Sequence, residues 1–501
     1  MTKERELSLS NTPMKDTGFR FDTRYTTLPP VLYHLGEPAP ARRPEVVVFN
    51  ARLAEELGLR LGELSGDAQA SLLSGRARAE GSVPFSQAYA GHQFGGFSIL
   101  GDGRAHVLGE HLTPDGRRVD VQLKGSGPTP FSRGGDGRAA LGPMLREHLI
   151  SEAMAGLGIP TTRSLAVVTT GEPVLRERPL PGAILTRVAA SHLRVGTFEL
   201  AAAATRNAPE LLPALMDYAI ERHDPELREA ESPALAFWEA VAKRQAALIA
   251  SWMRVGFIHG VMNTDNVTIS GETIDYGPCA FVDRYAKSVV FSSIDEGGRY
   301  AFGNQPWIAR WNLARFAEAL LPLVDEDRDR AVAKAQERFA HFEGWMNEAW
   351  ADMMRDKLGL PGRDEDDIAL ATDLLALMEA SSSDYTDTFR ALSGATALPA
   401  ALEGARGWGT WKARWNTRSG RGQDEAPSAD ARERMRRANP AVIPRNHLVE
   451  EALAAADGDD WDPFHRLLSA LESPYGERDE LTPFQQPPPA SFAGYQTFCG
   501  T

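Results

Sequence analysis

Cysteine is almost absent from this chain. Its 501 residues include two, Cys279 and Cys499, too few and too far apart for a zinc cage or a disulfide scaffold. Long apolar runs are missing as well: none approaches the roughly 20 residues that a membrane-spanning helix requires. The opening, Met1-Thr2-Lys3-Glu4-Arg5-Glu6-Leu7, lacks the apolar centre of a secretion signal. A cytoplasmic protein with no membrane partner is the expectation. Basic charge is in deficit, with 54 Lys and Arg against 68 Asp and Glu and a net charge of -14. That removes the positive footprint needed by a general nucleic-acid binder. Local basic pockets remain compatible with it, and a phosphate site needs one. The remainder is ordinary for a folded protein with a large core, 43% hydrophobic and 24% charged. The length suits two to four domains, or one two-lobed core with additions.

Segment 1–85 mixes the Pro-rich loops Leu28-Pro29-Pro30 and Pro38-Ala39-Pro40 with a helix at 50–57, capped by Asn50 and stopped by Gly58. It reads as a wrapping extension. From 97 to 124 the period becomes strand-like. Strands at 97–100, 105–111 and 119–124, joined by Gly101-Asp102-Gly103 and Thr113-Pro114-Asp115-Gly116 turns, predict an antiparallel meander. A helix is predicted over 143–155, with Pro143 in its first turn and Gly158-Ile159-Pro160 ending it. Strands follow at 164–169 and 174–177, joined through Gly171-Glu172-Pro173, and at 182–188. The first six of these elements run β-β-β-α-β-β, the order of a kinase small lobe. From 198 to 255 the pattern is helical, and 235–253 has the spacing of a buried helix leading to His259. Loops at 297–311 precede helices to 379. The Gly- and Arg-rich stretch 406–437 reads in part as a linker, and 446–456 as a last helix before Pro487-Pro488-Pro489. The expected architecture is α+β, a protein-kinase-like two-lobed fold. It divides into an N-terminal extension (1–85), an antiparallel-sheet lobe (86–190), a helical lobe (191–400) and a C-terminal extension with a Cys-containing tail (401–501).

His259-Gly260-Val261-Met262-Asn263-Thr264-Asp265-Asn266, followed by Asp275-Tyr276-Gly277, has the spacing of the kinase loops H-R-D-x-x-x-x-N and D-F-G. Aligned on the histidine, Val261 stands where the catalytic aspartate belongs. Asn266 and Asp275 stand on the two metal positions. Val121-Gln122-Leu123-Lys124 resembles the kinase V-A-I-K strand, and Glu147 lies mid-helix where it could meet Lys124. A surface Lys and a surface Glu are the plainer reading of that pair taken alone. Gly101 and Gly103, beside Arg104, could bring backbone amides to a phosphate, although an Asp-Gly hairpin turn has the same composition. Gly134-Gly135-Asp136-Gly137-Arg138 could cover a nucleotide or serve as a flexible connector. Arg187 and Arg194 fall near the predicted lobe junction, as phosphate-binding cations or as structural ion pairs.

These motifs, with Tyr89-Ala90-Gly91-His92-Gln93-Phe94-Gly95-Gly96, Gln122-Leu123-Lys124-Gly125-Ser126-Gly127-Pro128-Thr129-Pro130 and Arg133-Gly134-Gly135-Asp136-Gly137-Arg138, resemble the selenoprotein O family from about residue 21 to Cys499. The resemblance implies a protein-kinase-like fold that transfers AMP from ATP to hydroxyl side chains of protein substrates, with ATP bound in a flipped orientation. It implies ATP contacts from Gly101, Gly103, Arg104, Lys124, Asp136, Gly137, Arg187, Arg194 and Asp275, and a Lys124–Glu147 ion pair. Asn266 and Asp275 are implied as ligands of Mg²⁺, with Mn²⁺ as the alternative, and Asp265 as the proton acceptor. UMP transfer is also ascribed to the family. A conventional kinase and an inactive nucleotide-binding scaffold are the rival readings of the loops. Family members often end in a redox-active Cys, which Cys499 matches; Cys279 is the other thiol in this chain, so a regulatory pairing is an expectation. A monomer is expected. Plain readings suit three other features: Asp364-Glu365-Asp366-Asp367 as acids opening a helix, Trp408, Trp411 and Trp415 as packing, and His92 as a structural hydrogen-bonding group.

Overall fold

The computed structural model describes residues 13–422 and 425–498. Cys499 lies outside them. Nine strands form one antiparallel sheet: β1 (Tyr33–Leu35), β2 (Glu45–Phe49), β3 (Phe85–Gln93), β4 (Gly96–Gly101), β5 (Ala105–Leu112), β6 (Arg118–Lys124), β7 (Ala139–Ala140), β8 (Arg163–Leu175) and β9 (Pro179–Ala189). The spatial order is β1-β3-β5-β6-β9-β8-β2, with β4 attached to β3 and β7 to β9.

Three features of the sheet differ from the sequence reading. Strand β3, which that reading passes over, takes β4 as its hairpin partner through the turn at Phe94 and Gly95, both with positive φ. The turn at Gly101-Asp102-Gly103 therefore joins strands that do not pair, and the predicted meander is broken. The alternation in β3 is masked because it is buried along most of its length. The strands expected at 164–169 and 174–177 are one strand, β8, with Gly171 (φ +70) in an irregularity between Thr169 and Pro173. The segment expected only to wrap the fold supplies β1 and β2 to the two ends of the sheet. Its predicted helix is present as α1 (Ala51–Glu56), with the Asn50 side chain accepting from the Leu53 N–H at 2.9 Å.

One long helix precedes β8. After α1 and α2 (Gly66–Leu73), α3 (Leu141–Gly156) buries 12 of its 16 residues, more than the one stripe of a surface helix. The sheet covers one side of it through β8 and β9. The helices Asn446–Asp457 and Asp462–Leu471 cover another, which places Glu147 inside the molecule. The rest is helical: α4 (Val195–Ala204), α5 (Leu211–His223), α6 (Pro233–Val255), α7 (Gln305–Val324), α8 (Arg328–Phe339), α9 (Phe342–Leu358) and shorter helices beyond. Helix α6 runs through the core and stops at Gly256, whose φ of +76 is the left-handed conformation that glycine supplies at helix ends. Most of 406–437 is helical as well, in Trp408–Arg418 and Ala429–Ala438. Trp408, Trp411 and Trp415 stack in sequence and are buried, as packing residues. Asp364 and its acidic neighbours lead into the helix Asp367–Ala380, and no metal-binding group of three His, Cys, Asp or Glu occurs among the described residues. No helix among the described residues is long and apolar enough to cross a membrane.

Candidate active site

Immediately after α6, the two-residue strands β10 (Phe257–Ile258) and β11 (Ala280–Phe281) pair antiparallel. They close residues 259–279 into a loop with both ends held. Inside it, His259 Nε2 lies 2.8 Å from the Ile274 carbonyl, and burial holds this imidazole below its ordinary pKa, so Nε2 donates as a neutral ring. Gly260 has φ +82 and backs against the Pro278 carbonyl, which a Cβ would meet at 2.5 Å. The Tyr276 hydroxyl bonds Thr161 Oγ1. Asp275 is itself left-handed (φ +63), a conformation few non-glycine residues adopt without compensation.

The compensation is charge. Lys124 Nζ lies 2.5 Å from Glu147 Oε2 and 2.5 Å from Asp275 Oδ1. Arg187 Nη1 bridges the same two carboxylates, at 3.1 and 2.8 Å, while its Nε and Nη2 donate to Gln122 Oε1 at 3.2 and 2.7 Å. Burial works against the charged form of Asp275. Lys124, Arg187 and Arg194 outweigh it and hold the carboxyl well below its ordinary value.

Arg194 is only 2% exposed, with its guanidinium 4.3 Å from the centre of the Tyr89 ring. Its nearest carboxylates are distant, Asp102 at 3.7 Å and Asp275 at 3.9 Å. Its Nε and Nη1 have no hydrogen-bond partner among the described residues. Buried N–H groups of this kind call for an acceptor. Arg104 has no side-chain ion pair or hydrogen bond among the described residues, although its carbonyl accepts from Gly125 N at 2.7 Å.

Asp265 lies on the same loop as Asp275 and lines the same cavity. Its Oδ1 is buried with no hydrogen-bond partner among the described residues, and burial pushes the carboxyl up to about 6, although hydrogen bonding and Arg194 act in the other direction. Strand β3 lies directly on it, since a Cβ at Gly91 would meet Asp265 Oδ1 at 2.3 Å. Neighbouring groups clamp the same loop. Glu199 on α4 accepts from the Thr264 hydroxyl at 2.6 Å and holds His92 Nδ1 at 2.6 Å, while Thr264 Oγ1 accepts from the His92 N–H at 2.7 Å. The structural role read for His92 is thus present. Asn263 Oδ1 accepts from Phe94 N at 3.0 Å and from the Tyr300 hydroxyl at 2.6 Å. Asn266 Nδ2 donates to the Val261 carbonyl at 2.9 Å, and its Oδ1 has no partner among the described residues.

These groups share one cavity of about 1350 Å³. Gly101, Gly103, Arg104, Lys124, Asp136, Gly137, Glu147, Arg187, Arg194, Asp265, Asn266 and Asp275 all line it, as does Val261. Gly101 and Gly103 lie beneath Phe131, where a Cβ would collide at 2.4 and 2.8 Å respectively. Asp136 occupies the rim. It is engaged by Arg176 at 2.9 Å, whose hydrogen bond holds its carboxyl low. Gly137 (φ +64) has no room for a side chain, with Gly127 and Pro128 at 2.2 Å. Cys279 is outside the lining and fully buried, with its thiol pushed up to about 11.

Sequence reasoning passed over several participants. Asp102, Gln122 and Tyr89 orient the cations, and Glu199 and Thr264 brace the loop. Residues 494–498 and Glu450 reach the cavity from the far end of the chain. Thr497 Oγ1 donates to the Pro278 carbonyl at 2.7 Å, and the Tyr495 hydroxyl donates to Glu450 Oε1 at 2.5 Å. Arg146 Nη1 lies 3.0 Å from that same Glu450 oxygen, and its Nη2 donates to the Cys279 carbonyl at 2.6 Å. Tyr89, Asp102, Gln122 and Thr264 lie within motif strings of the sequence, but those strings give them no role of their own.

Residues 17–472 match the family model of the protein adenylyltransferase SelO. The chain belongs to the SelO family. A protein nucleotidyltransferase YdiU of Geobacillus kaustophilus is 55% identical, over 97% of this chain and 100% of its own length. Those of Syntrophotalea carbinolica and Alkaliphilus metalliredigens are each 53% identical, the former over 97% of this chain and 98% of its own, the latter over the whole of both. The chain is thus a member of a family of protein nucleotidyltransferases, and the cavity is its candidate catalytic centre.

Proposed function

We propose that this SelO-family chain is a Mg²⁺-dependent protein adenylyltransferase, in which the sheet with α3 and the helices after residue 191 act as the two lobes of a protein-kinase-like fold. The observation that carries the reading is the placement on one cavity of Asp265, whose Oδ1 has no hydrogen-bond partner among the described residues, and of the cations Lys124, Arg187 and Arg194 gathered at Asp275. Val261, where a kinase carries its base, has no proton-accepting side chain.

In this reading ATP lies flipped relative to an ordinary kinase, with its α-phosphate toward Asp265. Arg104 and the free N–H groups of Arg194 take phosphate oxygens, Lys124 and Arg187 set the field around Asp275, and Gly101, Gly103, Asp136 and Gly137 shape the walls. The oxygen of an acceptor Ser, Thr or Tyr attacks the α-phosphorus. The bond from that phosphorus to the bridging oxygen breaks, pyrophosphate leaves with the electron pair, and the hydroxyl proton passes to Asp265. Asp275 Oδ2 and Asn266 Oδ1, both free of hydrogen bonds among the described residues, are hard oxygen donors that fit Mg²⁺ or Mn²⁺. The bound cation would neutralise phosphate charge.

The broader activity named for the relatives, nucleotidyl transfer, supports UMP transfer from UTP as a second reading of the same site. Parallel reactions with α-labelled ATP and α-labelled UTP decide between them. Protein labelled by ATP alone supports adenylylation, and protein labelled by UTP alone overturns it.

A further inference from the structure

The hairpin of β3 and β4 ends in an open sheet edge beside the active site. Its turn has two residues, Phe94 (φ +50) and Gly95 (φ +90), so Gln93 and Gly96 are the bonded closing pair and bonding alternates along the register. The Asp102 N–H, donating to the Gln87 carbonyl at 2.8 Å, agrees with that phase. Phe97 and Ile99 then turn their backbone N–H and C=O groups away from β3, and no strand covers them among the described residues. Their side chains are 48% and 67% exposed, and Phe94 at the tip is 41% exposed. Soluble proteins usually shield such an edge with charge, a bulge or a covering element. Here it is bare and apolar.

Two further observations say what covers it. The tip is tied to the catalytic loop through the bond from Phe94 N to Asn263, and Phe94 lines the cavity. Beside the tip lies Arg299, whose Nη2 a Cβ on Gly95 would meet at 3.9 Å, spread over the rings of Trp311 (4.8 Å) and Trp307 (5.8 Å), with no carboxylate ion pair among the described residues. An open N–H and C=O edge, apolar side chains on alternate residues and an unpaired cation together suit an extended polypeptide with apolar and acidic side chains.

We propose that the acceptor protein docks as an extended strand on β4, with apolar residues on Phe97 and Ile99 and an acidic residue reaching Arg299. An added strand would stand about 10 Å from β3, two strand spacings away. The hydroxyl therefore reaches Asp265 from beyond the hairpin tip, where the chain leaves β4 and turns into the cavity past Phe94. This rests on the protein-modifying reading above and names how that site selects its substrate.

The test uses the full chain, α-labelled ATP and carboxymethylated casein, an unfolded acceptor. Ile99→Pro removes one outward N–H at an edge position that tolerates proline, and Ile99→Asp keeps the backbone while placing charge on the edge. We expect the apparent KM for casein to rise about tenfold in both, with kcat at saturating casein and the thermal shift produced by ATP unchanged. If Ile99→Pro does not fold, Ile99→Asp decides. Unchanged casein kinetics in the folded variants, or a loss that follows ATP affinity, overturns the docking proposal and leaves the transfer reading standing. A wild-type dimer that Ile99→Pro converts to monomer also overturns it, because a second copy then occupies the edge. No labelling of casein by wild type refutes the transfer reading and the docking proposal with it.

Discussion

Gly91 and Asp265 compete for the same space: a Cβ on Gly91 would lie 2.3 Å from Asp265 Oδ1. Strand β3 thus positions the carboxylate as well as walling the cavity. Gly91→Ala must push Asp265 aside while leaving the cations at Asp275 in place. The expected outcome is a fall in kcat of about 10- to 100-fold, the usual result of a sub-ångström to ångström displacement of a reacting group. ATP affinity, measured by calorimetry, stays within about twofold, since the atoms a Cβ on Gly91 would meet first all belong to Asp265 and none to a cation.

Asp275 joins Lys124, Arg187 and Arg194, so its removal leaves buried positive charge without its counterion. Asp275→Ala is expected to abolish transfer and to lower the stability of the nucleotide-free protein by about 1–3 kcal/mol, less than for a fully buried pair because Asp275 is partly exposed. A urea titration reads the second effect. An unchanged midpoint contradicts the role given to this carboxylate as the anchor of the cluster.

Glu272 provides a pH test away from the cavity. Burial pushes its carboxyl up to about 7, although the Ala190 N–H and the Ser270 hydroxyl both donate to it. A raised acid favours the protonated fold, so its cost is nil below the unfolded value near 4.5 and grows as pH rises toward 7. Glu272→Gln, which keeps an oxygen for both donors, is expected to gain about 1–2 kcal/mol relative to wild type at pH 7.5 and nothing at pH 4.5. Denaturation at the two pH values measures the difference.

Cys279 is buried with its thiol raised to about 11 from an ordinary 9.0. The thiolate fraction at neutral pH is then about a hundredfold smaller than for a free thiol. In Cys499→Ser, where Cys279 is the single cysteine, native protein is expected to react with a disulfide reagent at least about a hundredfold more slowly than urea-unfolded protein. Comparable rates contradict the burial described here.

The elements of the candidate site were legible because their spacing is local. His259, Asn266 and Asp275 belong to one loop, Lys124 ends an alternating strand, and Glu147 lies on a helix with a proline in its first turn and a glycine just past its end. The β3–β4 pairing was not legible, because β3 is buried along most of its length and gives little alternation. Nor was the bracing by Glu199, which meets Thr264 across 65 positions of sequence. That Asp265 Oδ1 and the Arg194 Nε and Nη1 have no partner among the described residues is likewise a property of tertiary burial, which no motif spells out.

The central claim is that Asp265 takes a proton from an acceptor hydroxyl while AMP, not phosphate, is transferred. The most direct measurement incubates wild type and Asp265→Ala with Mg²⁺, a protein acceptor and ATP labelled on either the α- or the γ-phosphate. The account requires protein label from the α-phosphate alone, reduced about 100-fold or more in Asp265→Ala. Protein label from the γ-phosphate, or equal α-labelling by both proteins, contradicts it.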